Sequence, residues 1–123
     1  MRDKELSIDK KLEIIKIVEK ELLLDKSSYV NIVDVSKKTD LTDFFVISVA
    51  NSTIHINLLL GTIKEKMKQF SLSPIRKDGS LGNSNWVILD YGFVIFHIMT
   101  EEVKNFYNIE NFWEKELNLE EEN

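Results

Sequence analysis

Cysteine is absent from this chain of 123 residues. Disulfides, thiolate zinc sites, iron–sulfur clusters and cysteine nucleophiles are therefore all excluded. Histidine occurs twice, at His55 and His97, and neither lies in a cluster with metal-ligand spacing. Neither G-x-x-x-x-G-K-[ST] nor G-x-G-x-x-G occurs, so the backbone cradle that mononucleotide and dinucleotide sites need has no candidate. "LLLGTIKEK" offers one glycine and a lysine without a nest of amide groups. No apolar run approaches a membrane span, and "MRDKELSIDKKLEIIKIVEK" is too charged for a signal peptide, so a cytoplasmic location is expected. Positive charge is not in excess either. A formal net charge of -5 argues against a general or sequence-specific nucleic-acid binder and suits a basic protein partner.

What is present reads as one globular domain over residues 1–123, with 43% apolar and 30% charged residues. Ile8, Leu12, Ile15, Val18 and Leu22 recur at helical steps, predicting an amphipathic helix over about 7–24, broadened by Ile14, Ile17 and Leu23. "YVNIVDV" and "LTDFFVISVA" are rich in β-branched and aromatic residues and predict two strands. The near-continuous run from Phe44 to Val49 predicts a strand covered on both sides. The period then changes. Ile56, Leu59, Leu60, Ile63, Met67 and Phe70 mark a second helix, capped by Ser52 or Thr53, with Gly61 inside it, read as a point of close packing. The only proline and two of the four glycines fall in "LSPIRKDGSLGNSN", which predicts a short edge strand near Leu72 to Arg76 and then a polar loop. Trp86 to Asp90 and Phe93 to Met99 predict two more strands, and Thr100 caps a terminal helical region ending in an acidic tail at 117–123. The fold class is α/β, a single compact domain with a mixed sheet flanked by helices.

"NWVILDYGFVIFH" holds the choice between chemistry and architecture. An aspartate ending a strand can present a carboxylate to magnesium. Yet Asp34, Asp40, Asp43 and Asp90 include no pair at D-x-D spacing, and no serine has an elbow motif. As a hairpin with Tyr91-Gly92 as its loop, Asp90 pairs with Phe93, Ile88 with Ile95 and Trp86 with His97. Val87, Leu89, Val94, Phe96 and Ile98 then form a core face, and the opposite face carries Trp86 and His97. Gly92 allows a positive φ, and Asp90 accepts amide bonds from the turn. His97 then either packs as a satisfied histidine under Trp86 or meets a partner.

"LTDFFVISVANSTIH", "NWVILDYGFVIFHIM" and "FYNIENFW", in that order, resemble the ribosomal silencing factor family, also called the Iojap-related proteins. The resemblance covers about residues 25–113. It implies a nucleotidyltransferase-like fold without catalytic carboxylates, and no enzyme activity, cofactor or metal. It further implies docking on the large ribosomal subunit through that subunit's fourteenth protein, which obstructs the small subunit and represses translation when nutrients are scarce. A link to large-subunit biogenesis and a homodimer in isolation are also implied. The family's motifs fall on Thr42, Asp43, Phe44 (where tyrosine is usual) and Phe45, on Trp86, Asp90, Tyr91 and Gly92, on His97, and on Tyr107, Ile109, Glu110 and Trp113. The partner-binding set is accordingly Thr42, Asp43, Phe44, Trp86, Asp90, Tyr91, His97 and Tyr107, with Gly92 as a structural turn. Departures are Ala50 for a glycine, Ile54 for an arginine and Phe93 for an acidic residue. Two other readings compete: a magnesium-dependent nucleotidyltransferase-like enzyme using Asp43 and Asp90, and a homodimeric large-subunit assembly factor.

Overall fold

Ser7 opens the first helix by accepting the Lys10 amide at 3.1 Å, satisfying one free donor of the first turn. The computed structural model describes residues 6–79 and 85–107. Within them run α1 (Ile8–Leu24), β1 (Tyr29–Asp34), β2 (Phe44–Ala50), α2 (Thr53–Gln69), β3 (Arg76–Asp78), β4 (Trp86–Asp90), β5 (Val94–Thr100) and α3 (Glu101–Tyr107). The strands form one mixed sheet in the order β1-β2-β5-β4-β3. Only β2 and β5 pair in parallel; the other neighbours are antiparallel. All of β2 is buried, and all of β5 except Thr100, as the continuous apolar runs predict for strands covered on both sides.

One face of the sheet carries the main core. Ile14, Ile15, Val18 and Leu22 of α1 and Ile56, Leu59, Ile63 and Met67 of α2 pack there on Phe44, Val46, Leu89, Phe96 and Ile98. The opposite face holds a smaller cluster of Val33, Val35, Phe45, Ile47, Ile95 and Met99. Trp86, Ile88 and Val103 of α3 pack against it. Except for Phe93, expected beside Asp90 and found in the helix-covered core, the predicted division of hairpin residues between the two faces is the observed one.

The register is not. Asp90 pairs with Ile95, Ile88 with His97 and Trp86 with Met99. The Tyr91 amide donates to the Val94 carbonyl at 2.9 Å, so Gly92-Phe93, not Tyr91-Gly92, forms the two-residue loop. Gly92 (φ 95) then takes the first central position, where a hairpin turn with a glycine start requires a positive φ. Pairing shifts by two residues, which preserves the faces because side chains alternate with period two.

Two smaller expectations also change, and a third resolves between its two alternatives. The edge strand begins at Arg76, and Leu72 is instead buried in the core, since Ser71 (φ 62) turns the chain back beneath α2. All three residues of β3 are charged and exposed, which discourages pairing with another sheet at that edge. A Cβ on Gly61 would meet nothing within 4 Å, so that glycine does not mark close packing. Ser52, not Thr53, caps α2, accepting the His55 amide at 3.0 Å. Gly79 (φ 80) is a position where glycine is required, because a Cβ there would run into the Trp86 carbonyl oxygen.

Candidate partner-binding site

The predicted residues gather in two groups on the sheet. The first lies where β2 begins and the β4–β5 turn closes. Phe93, at the tip of that turn, offers its carbonyl to the amides of Asp43 (3.2 Å) and Phe44 (3.1 Å), fastening the two segments side by side. The Asp90 carboxylate accepts the Gly92 amide at 2.8 Å, the turn-acceptor role its type predicts. Asp43 meets Lys11 of α1 at 2.9 Å, with 32% of its side chain exposed. Thr42 is buried, its hydroxyl donating to the Phe44 carbonyl at 3.4 Å, while neighbouring Leu41 is 75% exposed. A cavity of about 330 Å³ opens here between Lys11, Thr39, Asp40, Asp43 and Phe93.

The second group is aromatic and sits beside α3. The Trp86 indole N–H donates to His97 Nδ1 at 3.1 Å, and the His97 ring meets Phe45 edge-on at 4.9 Å between centroids. Tyr107 of α3 also lies against Trp86, with centroids 5.1 Å apart. Accepting at Nδ1 leaves the neutral ring's proton on Nε2, which has no partner among the described residues. Burial pushes His97 down to about 4, so the imidazole is neutral at physiological pH. Thr100 ends β5 and starts α3, its hydroxyl reaching the Val103 amide at 3.5 Å.

Several expected contact residues are therefore not on the surface. Phe44, Tyr91 and His97 are 2%, 1% and 5% exposed, because the first two belong to the helix-covered core and the third lies beneath Trp86. Tyr91 stands edge-on to Phe96, its hydroxyl lacks a partner among the described residues, and burial pushes it up to about 12. For His97 the geometry is that of a histidine packed under tryptophan. What faces outward is a half-buried strip on β4 (Trp86, Ile88 and Asp90), with Tyr107 at one end and the Leu41–Asp43 corner near the other. Sequence reasoning missed Lys11 and Ile88. Ile88 was legible from strand alternation, since Trp86 and Asp90 flank it two residues away. Lys11 carries no such signal, as its partner is 32 positions distant. Ile109, Glu110, Trp113 and the tail at 117–123 lie outside the described residues.

Asp43 and Asp90 are each engaged, one by an ammonium group and one by its own turn, and they do not form a pair poised for a metal. Among the described residues no group of three acidic or histidine side chains is placed to hold one. The sequence profile described as "Ribosomal silencing factor during starvation" matches residues 8–123. The chain belongs to the ribosomal silencing factor family. As a member of that family it is a ribosomal silencing factor. The ribosomal silencing factor of Zymomonas mobilis is 26% identical over 112 residues, covering 91% of this chain and 83% of that protein. A crystal structure of a Chromobacterium violaceum protein superposes with a TM-score of 0.78 at 26% identity, covering 88% of this chain and 87% of that one. The mouse protein named for mitochondrial assembly of the ribosomal large subunit is 25% identical over 84 residues, 67% of this chain but only 37% of its own length. Among the described residues no helix is long and apolar enough to cross a membrane.

Proposed function

We propose that this silencing factor docks in the cytoplasm on the large ribosomal subunit through that subunit's fourteenth protein. Its bulk then obstructs the small subunit and represses translation when nutrients are limiting. The observation that carries this reading is the outward strip of Trp86, Ile88 and Asp90, bordered by Tyr107 and by Asp43. It combines an aromatic anchor, an aliphatic residue and two carboxylates, a composition suited to a basic, partly apolar protein surface. Thr42, Phe44, Tyr91, Gly92 and His97 serve the site by holding that strip in place. The name of the mouse relative, which concerns large-subunit assembly, supports the choice of subunit. The five-stranded mixed sheet is read as a nucleotidyltransferase-like scaffold whose acidic side chains have been turned to structural use. In the free state the exposed Ile54 and Leu58 of α2 give a second copy an apolar contact, so a homodimer is part of the same proposal. Co-sedimentation with isolated large subunits tests the docking. Binding at low micromolar protein is the expected result, and its absence there overturns the reading. Light scattering of the free chain gives the dimer its own test.

A further inference from the structure

Hydrogen bonds shape the walls of the cavity of about 330 Å³ that opens where β2 begins. Its loop is closed at the base, where the Val35 amide donates to the Asp43 carbonyl at 2.9 Å. Within the loop the amides of Lys38 and Thr39 both donate to the Val35 carbonyl, at 3.0 and 3.1 Å. The Thr39 hydroxyl accepts the Leu41 amide at 3.1 Å. Lys11 enters from α1. Its ammonium group bonds Oδ2 of Asp43 at 2.9 Å and lies 5.8 Å from the centre of the Phe93 ring. These contacts are in place in the free chain, so a group that enters meets a formed site. The charges of Lys11 and Asp43 cancel, and the lysine engages one oxygen of that carboxylate. Asp40 also lines the cavity, is exposed, and makes no hydrogen bond or ion pair among the described residues. The cavity therefore carries one uncompensated negative charge.

We infer that this cavity receives an arginine side chain of the docking protein. A guanidinium group presents several N–H donors in one plane, so it can donate to Asp40 and to the remaining oxygen of Asp43 at once. A point-like ammonium group matches two carboxylates less well. Other occupants fit worse. A phosphate would meet two carboxylates against one ammonium group, and an apolar side chain would strip water from Asp40 without replacing it. The cavity lies at the end of the sheet, where β1 finishes, β2 starts and the β4–β5 turn closes. That turn joins it to the proposed docking strip: Gly92 lines the cavity, and the Gly92 amide is the one held by Asp90 at the strip's end. Trp86 anchors one end of the contact and the arginine the other, two residue types that dominate interface energies.

The inference rests on the proposed docking to the large subunit, and its test separates the two. Affinity of the full chain for isolated large subunits is measured for the unaltered protein and for Asp40→Asn, Asp40→Glu and Asp40→Arg. Loss of a carboxylate that meets a guanidinium predicts binding about ten-fold weaker for the asparagine variant and weaker still for the arginine variant. The glutamate variant should bind within about three-fold of the unaltered chain, since it keeps the charge. Thermal melting should show all three folded, because Asp40 has no polar contact to lose within the described fold. Phenylglyoxal, which modifies accessible guanidinium groups, is then applied to large subunits saturated with each chain, and the modified arginines are mapped by mass spectrometry. The unaltered chain should protect an arginine of a large-subunit protein, and the asparagine variant should protect it less. Equal affinity of the unaltered chain and Asp40→Asn overturns the inference alone, as does the lack of any arginine whose protection depends on Asp40. Tighter binding by Asp40→Asn, as a neighbouring phosphate would give, overturns it too. Failure of the unaltered chain to bind large subunits overturns the docking reading and this inference with it.

Discussion

Two faces of one sheet bear different loads. The first is sealed by two helices of 17 residues each, and its strand residues Leu89, Phe96 and Ile98 are wholly buried. The second, in its described part, meets a helix of seven residues with no buried side chain, and its β4 residues Trp86, Ile88 and Asp90 stay half-exposed. Both faces descend from the same strands, since alternate residues of β4 and β5 feed each. The difference locates fold stability on the helix-covered face and leaves the other free to meet a partner at modest cost to the fold.

The largest effect that sharpens this comparison comes from Phe96→Ala. Emptying a fully buried phenyl site should destabilise the chain by about 4 kcal/mol, read by chemical denaturation. The second face makes a pH-dependent contribution through His97. Its folded pKa of about 4 lies below the ordinary 6.5, so between those values the unfolded chain binds more protons. The stabilisation is complete above pH 6.5 and is lost as pH falls toward 4, amounting to about 3 kcal/mol. His97→Gln lacks the titration, and the difference between its stability profile and that of the unaltered chain should show this slope. Trp86→Ala, at a half-buried site, should cost about 2 kcal/mol, well below Phe96→Ala, while weakening large-subunit binding by about ten-fold or more. If the melt collapses while the folded fraction binds normally, Trp86 belongs to the core and the division between faces fails. Asp90→Ala removes the acceptor of the Gly92 amide and should cost about 1 kcal/mol by denaturation. Gly61→Ala, in an exposed helix interior with open space around it, should stabilise by up to about 1 kcal/mol and raise the melting temperature by about 4 °C.

The sequence made the faces readable but not the contacts between them. Period-two alternation assigned Val87, Leu89, Val94, Phe96 and Ile98 to the core, and helical spacing found both long helices. The hairpin slipped because Tyr91-Gly92 and Gly92-Phe93 are equally open to a glycine-containing turn in sequence. What decides between them is the Phe93 carbonyl, which must face the amides of Asp43 and Phe44 from a distant strand. Tyr91 entered the partner-binding set through the family motif and His97 was open between packing and contact; their burial depends on which neighbours close over them. Lys11 with Asp43 is likewise a product of packing, since its members come from different elements. Gly61 misled for the opposite reason: a helical glycine often marks close approach, and here nothing approaches.

The most direct measurement is co-sedimentation of the unaltered chain and Trp86→Ala with purified large ribosomal subunits, with the thermal melt of each recorded alongside. The account predicts that the unaltered chain pellets with large subunits at low micromolar concentration and that the folded variant pellets far less. An unaltered chain that stays in the supernatant, or a folded variant that binds equally well, would contradict it.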